Sequence, residues 1–358
     1  MNTNPSTAKI RLGIIGAGKV TTNPGRHIDS IRSLKDRDVE ITAVADTAPG
    51  LAAQVAEDFR IPYHFEDYHA MLAMPEINAV TINTPTATHK QIAIDCIRAG
   101  KHLYVEKPIT MTEKELEEVL DAARQSDKVF LAGSNGLLQR QMGMFRQLIE
   151  NGSMGQVYLV SVDRASSRSQ EYGMDSVKVK KGTGISAHSG SHNVEWALYL
   201  LGDPKPVSVQ ARGFCQTQSL TFAGKMDQAD DDTCVATVNF DNGAMFLFKA
   251  LRAAPAKDMY EMKVYGDKMS FSYDVLKCYK QKSNDCMKFY THDPVMGMQE
   301  IVPDFQCGKS HADMYRHFFA CIRENRQSIS NGERGLVVMR ILDAMEQSIR
   351  QNGRQIFL

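Results

Sequence analysis

Hydrophobic and polar positions fall into two regimes along this chain. In the first, short apolar runs alternate with amphipathic stretches. The runs Ile10–Ile15, Val39–Ala45, Ala79–Ile82, His102–Val105 and 129–132 read as buried strands. Between them lie apolar stripes at helical spacing. One is Leu51, Val55 and Phe59; another is Ile92, Ala93, Cys96 and Ile97, stopped by Gly100. A third is Leu116, Val119, Leu120 and Ala123, opened by the capping box Thr112-Glu113-Lys114-Glu115. Strands and helices alternating over short connections require parallel pairing and right-handed crossovers. The pattern predicts an α/β, doubly wound dinucleotide-binding (Rossmann) domain over residues 1–134.

Beyond residue 135 the period shortens to two. A helix carrying Phe145, Leu148 and Ile149 leads into strands at 157–162, 207–211, Thr233–Phe240, 244–251 and 262–265, and Asp241-Asn242-Gly243 is a hairpin signal. These predict a second, α+β domain over 135–358 with a largely antiparallel, open-faced sheet. Two amphipathic helices within 314–352 close it.

Composition narrows the function. The chain has 358 residues, 43% hydrophobic and 23% charged, which suits two globular domains. A formal net charge of +0 gives no electrostatic case for nucleic acid or an anionic membrane. No apolar run reaches membrane-spanning length, and the polar N-terminus lacks a basic-then-apolar signal. Seven cysteines without a C-x-x-C argue for a reduced compartment, and so for the cytoplasm, and against a disulfide or zinc framework.

Candidate chemistry gathers at strand ends. Gly16 and Gly18, with Lys19 and Val20 opening a helix, suit a turn that lets a pyrophosphate approach the backbone. The third fingerprint position is Thr21, so the motif is incomplete. Asp46 ends the second strand, 46 − 16 = 30 residues past Gly16 against a usual ~20, so the first helix region carries an insertion. Its carboxylate suits the ribose hydroxyls of NAD and would repel the extra phosphate of NADP. The same residue, or Thr47, also suits a helix N-cap before Pro49. The fourth strand ends on Glu106-Lys107-Pro108, where proline fixes the backbone and Lys107 sits at the ligand-binding end of the sheet.

Gly13-Ile14-Ile15-Gly16-Ala17-Gly18, Thr84-Pro85 with His89, Glu106-Lys107-Pro108 and the Gly353-Arg354-Gln355-Ile356 ending together resemble the glucose-fructose oxidoreductase, inositol dehydrogenase and rhizopine-catabolism (Gfo/Idh/MocA) oxidoreductases. The resemblance covers essentially the whole chain. It implies NAD as cofactor, bordered by Thr84, Pro85, His89, Glu106, Lys107 and Asn135, and a dimer or tetramer built on the open sheet face. In the family pattern Asp-x-x-x-His the histidine lies beside the substrate hydroxyl. His192 matches that histidine, while His188 stands in the aspartate's place.

Histidines at i and i+4 share one helix face. They can be structurally satisfied, chelate a metal with Glu195 or Glu106, or do acid–base work on the substrate. The last reading is favoured and no metal is expected. Arg164, Tyr172 and Lys181 precede this corner as candidate substrate contacts, and Asp230-Asp231-Asp232 reads as a solvated strand entry.

The reading is an NAD-dependent oxidoreductase acting on a ring hydroxyl of a sugar, polyol or glycoside. The His188 departure favours a glycoside 3-hydroxyl. Lys107 and His192, from different halves of the chain, would share the hydroxyl proton, and His188 would orient the substrate or relay the proton. Burial and a positive nicotinamide ring would favour the neutral amine of Lys107. The rivals are a non-catalytic NAD-binding regulator and a glycoside-cleaving enzyme that oxidises its substrate transiently.

Overall fold

The apolar runs of the first regime are buried strands in a computed structural model that describes residues 9–133, 136–167, 184–214, 231–254, 256–281, 284–305 and 310–358. They are β1 (Ile10–Ile15), β2 (Val39–Ala45), β3 (Tyr63–Phe65), β4 (Ala79–Ile82), β5 (His102–Val105) and β6 (Phe130–Ala132). Their order is β3-β2-β1-β4-β5-β6 and every pairing is parallel. The strand order reverses between β1 and β4, so the ends of β1, β4 and β5 border the crevice where such sheets take ligands.

Two short helices, α1 (Lys19–Thr22) and α2 (His27–Ser33), fill the long connection between β1 and β2. They account for the spacing from Gly16 to Asp46. The following helices are α3 (Leu51–Asp58), α4 (Tyr68–Leu72), α5 (His89–Arg98) and α6 (Glu113–Arg124). Thr112 caps α6 by accepting the Glu115 N–H at 3.2 Å. One expectation fails here. The cap of α3 is Gly50, at φ 74°, and neither Asp46 nor Thr47 fills that role. Asp46 Oδ1 instead accepts the Ala48 N–H at 2.9 Å, a local turn that delays the helix.

The second unit holds α7 (Arg140–Glu150), α8 (Ile185–Leu201) and α9 (Val275–Gln281). Its strands are β7 (Val157–Ser167), β8 (Pro206–Phe214), β9 (Thr233–Phe240), β10 (Met245–Ala254), β11 (Met259–Gly266), β12 (Met269–Asp274), β13 (Met287–Asp293), β14 (Gly297–Ile301) and β15 (Ile356–Phe357). The sheet order is β14-β13-β12-β11-β7-β10-β9-β8-β15. Among the described residues of this sheet, only β7 and β10 pair in parallel. One sheet face buries Val160, Val162, Phe246 and Phe248 in the core. Phe145 of α7 stacks on Phe271 with ring centroids 4.0 Å apart. Tyr158, Val235, Met245 and Leu247 remain exposed.

Two helices close the chain, α10 (Ser310–Glu324) and α11 (Glu333–Arg350). α10 belongs to one compact unit and most of α11 to the other. The compact units are Met1–Gln139 with Gly308–Leu336, and Arg140–Cys307 with Val337–Leu358. Met314, Tyr315, Phe318 and Phe319 of α10 complete the core that holds Ile28, Ile31 and Tyr104. Arg323 pairs with Asp36 at 2.7 Å. Ser330 adds a backbone rung to β6, its carbonyl accepting the Ala132 N–H at 2.7 Å.

Candidate active site

The glycine turn after β1 is built on a conformation only glycine tolerates. Gly16 has φ 99°, and a Cβ there would lie 2.8 Å from the Asn83 backbone. At the third fingerprint position, buried Thr21 donates its hydroxyl to the Gly16 carbonyl at 2.6 Å. Around Gly18 a Cβ would meet nothing within 4 Å. That open cradle fits a dinucleotide pyrophosphate. Lys19 and Val20 follow it, exposed on α1. Asp46 reaches the same turn, its Oδ2 accepting the Ala17 N–H at 2.7 Å.

Thr84 and Pro85 follow β4 and lead into α5. His89 opens that helix and is buried, with Nδ1 2.8 Å from the Pro108 carbonyl and Nε2 2.8 Å from the Thr84 carbonyl. Its ring ties the loop after β4 to the loop after β5. Lys107 is half-buried at the end of β5, and the Lys107–Pro108 peptide is cis.

Glu106 is buried beneath Lys107. Its Oε2 accepts the Lys107 N–H at 3.0 Å and its Oε1 accepts the Tyr104 hydroxyl at 2.7 Å. Nε2 of His27 lies 3.2 Å from the same Oε1. Burial pushes the Glu106 carboxyl up, but His27, Tyr104 and His311 outweigh it and hold the carboxyl at about 2.

In the second unit, α8 begins after Gly184 and is capped from a distance. Asp231 Oδ2 accepts the Ser186 N–H at 2.9 Å, and Oδ1 accepts the Ser186 hydroxyl at 2.7 Å. The Asp231 carbonyl accepts the Ile185 N–H at 2.8 Å. Asp231 and Asp232 are buried, so the solvated strand entry expected of these two is corrected, while Asp230 lies outside the described residues. A free helix N-terminus draws the carboxylate inward. Burial then raises the Asp231 pKa, partly offset by the Ser186 hydrogen bonds.

His192 is half-buried on α8, one helical turn beyond His188. Arg164 donates to the Ser189 hydroxyl at 3.0 Å and stands 5.2 Å over the Tyr260 ring. Tyr260 donates to Asn193 Oδ1 at 2.8 Å. Arg164 and Tyr260 thus brace the helix that carries both histidines. Asn135, Tyr172, Lys181 and the His188 side chain lie outside the described residues. Sequence reasoning missed His27, Asp231 and Tyr260. None of them carries a local signature, because each acts through a partner distant in sequence.

Comparison with known proteins matches residues 10–134 to an oxidoreductase family described as an NAD-binding Rossmann fold. Residues 146–356 match the same family's C-terminal alpha/beta domain. An uncharacterized oxidoreductase, YrbE, of Bacillus subtilis (strain 168) is 28% identical over 96% of this chain and 95% of its own. The D-glucoside 3-dehydrogenase of Escherichia coli (strain K12) is 24% identical over 99% of both chains. The solved structure of a levoglucosan dehydrogenase with NADH and levoglucosan superposes with a TM-score of 0.81 at 19% identity, over 98% of this chain and 99% of that one. At that identity the superposition carries the fold alone.

Proposed function

Because this chain belongs to the Gfo/Idh/MocA oxidoreductase family, an NAD-binding Rossmann domain followed by an α/β domain, we propose that it moves a hydride at a ring carbon of a sugar, polyol or glycoside. The observation that carries this is Lys107, held at the end of β5 by the carboxylate of its own neighbour Glu106. A glycoside 3-hydroxyl is the favoured substrate group. The full-length likeness to a D-glucoside 3-dehydrogenase supports that choice.

Oxidising a secondary alcohol removes a proton from oxygen and a hydride from carbon. When bound, NAD supplies the hydride acceptor; the chain supplies placement and a base. Gly16, Gly18 and Asp46 hold the dinucleotide, and Thr84 and Pro85 line the neighbouring strand end. Lys107 and His192 exchange the hydroxyl proton. His188 and Arg164 orient the substrate, with Asp231 and Tyr260 fixing the helix that presents the histidines. Tyr172, Lys181 and Asn135 complete the proposed binding set.

We also propose a homo-oligomer formed on the sheet face that exposes Val235, Met245 and Leu247. Among the described residues no helix is long and apolar enough to cross a membrane.

The test is Lys107→Met assayed against a panel of sugars and glycosides, ketosugar acceptors included, by absorbance of the reduced nicotinamide. Turnover should fall at least ~10²-fold with NAD affinity kept. Unchanged turnover, or NAD binding with no turnover on any substrate in the wild type, would overturn the proposal.

A further inference from the structure

A chain of hydrogen bonds inside the first unit runs in one direction when every contact in it is made. It ends on the Gly16 carbonyl, which can only accept. Thr21 donates to that oxygen at 2.6 Å. Thr21 Oγ1 therefore accepts from the Asn83 amide at 3.0 Å, which orients the amide. Asn83 Oδ1 then accepts the Thr81 hydroxyl at 3.1 Å. Thr81 in turn accepts the Tyr315 hydroxyl at 3.3 Å. The phenol has no second hydrogen, so with that hydrogen on Thr81 the donor across the 2.8 Å contact is His27 Nδ1. Every one of these side chains is buried.

The other face of His27 is then decided. A neutral imidazole that donates from Nδ1 has a lone pair on Nε2. Nε2 is fully buried and makes no well-aligned hydrogen bond among the described residues. It faces Glu106 Oε1 at 3.2 Å, an oxygen already accepting from Tyr104. A lone pair against a carboxylate oxygen is repulsive, so one proton has to lie between the two atoms.

The surrounding groups add no second proton. Arg26 flanks His27 on α2, Tyr104 precedes Glu106 on β5, and α10 contributes Tyr315 and His311. His311 packs its ring edge against His27 with centroids 5.1 Å apart, and its Nε2 is 4.0 Å from Oε1. Burial first, then the nearby His27 charge, lower the His311 pKa to about 4, so it is neutral at neutral pH.

We propose that the proton held between His27 and Glu106 makes His27 a positioning residue for Lys107, linking the glycine turn to the strand end that presents the amine. It neutralises the carboxylate whose second oxygen fixes the Lys107 N–H. This rests on the acid–base reading of Lys107.

Removing the proton should show as charge. In His27→Gln the Glu106 carboxylate loses its counter-charge, and an added negative charge beside Lys107 favours the charged amine. The pH at which alcohol oxidation rises should move up by about one pH unit. His27→Gln/Glu106→Gln should bring the profile back toward the wild type, because the bare carboxylate is gone. A merely structural role lowers turnover at every pH without moving the profile, and that result in folded His27→Gln would overturn the proposal.

Nitrogen-15 NMR of His27 in the unaltered protein gives a reading that needs no variant. Protons on both ring nitrogens are expected, and a bare Nε2 would overturn the proposal. So would one tightly held metal ion per chain, which would occupy the proton's place. Full turnover in Lys107→Met would sink the acid–base reading while leaving the NMR result to stand on its own.

Discussion

Glu106 carries the clearest pH consequence of any single residue. Its carboxyl falls from 4.5 to about 2 in the fold, so folding favours the ionised form. A depressed acid contributes stability that is present above the ordinary carboxylate range and is lost as pH falls through the folded value. The window therefore runs from about 4.5 down to 2, and the contribution is on the order of 3 kcal/mol. Urea unfolding across that window should show the wild type losing stability more steeply than Glu106→Gln. Parallel losses would remove Glu106 as the cause.

Residues of this kind are where sequence reading stopped. The strand-end positions of Lys107, Gly16 and Asp46 were legible because each follows a buried apolar run. His27 was not. A lone histidine on a short helix means nothing until Tyr315, 288 residues away, orients it. Asp231 failed for a related reason, since its partner Ser186 is 45 residues distant and three acids in a row look solvated.

Among the elements, the glycine turn separates folding from binding. Gly16→Ala would place a Cβ 2.8 Å from backbone at a left-handed φ, and should cost about 1–3 kcal/mol of stability. Gly18 has φ −69° and open space around it. Gly18→Ala should leave the melting temperature of the cofactor-free protein nearly unchanged while NAD affinity, read by calorimetry, falls at least ~10-fold. Equal effects of both substitutions on stability would refute this division.

Strands β1, β2, β4 and β5 were readable because a strand buried on both faces is a continuous apolar run. β12, β13 and β14 were not. Met269–Asp274 alternates serine with aromatics and Gly297–Ile301 is largely exposed, so neither forms a contiguous apolar block. α10 was visible as an amphipathic helix. Its stripe shows that a face is buried without showing what buries it.

At the scale of the whole molecule, the proposed assembly rests on the open sheet face. Leu247 and Met245 lie on β10 beside Val235 on β9, all exposed. A charge at the centre of such a patch cannot be buried cheaply. Leu247→Glu should shift sedimentation to a smaller species while the circular dichroism spectrum stays that of the wild type. An unchanged sedimentation coefficient would exclude this face as the contact.

The return of α10 to the first unit also sets an order in time. Tyr315 and His27, its partner in that unit, are 288 residues apart. At ~5–20 residues per second a ribosome needs roughly 15 to 60 s to synthesise that interval. The nucleotide-binding half, though begun first, is therefore complete only near the end of synthesis, once Gly308–Leu336 has been made. Through that delay α2 and the neighbouring end of β5 wait without their cover, and nascent chains are the form of this protein that chaperones should hold longest.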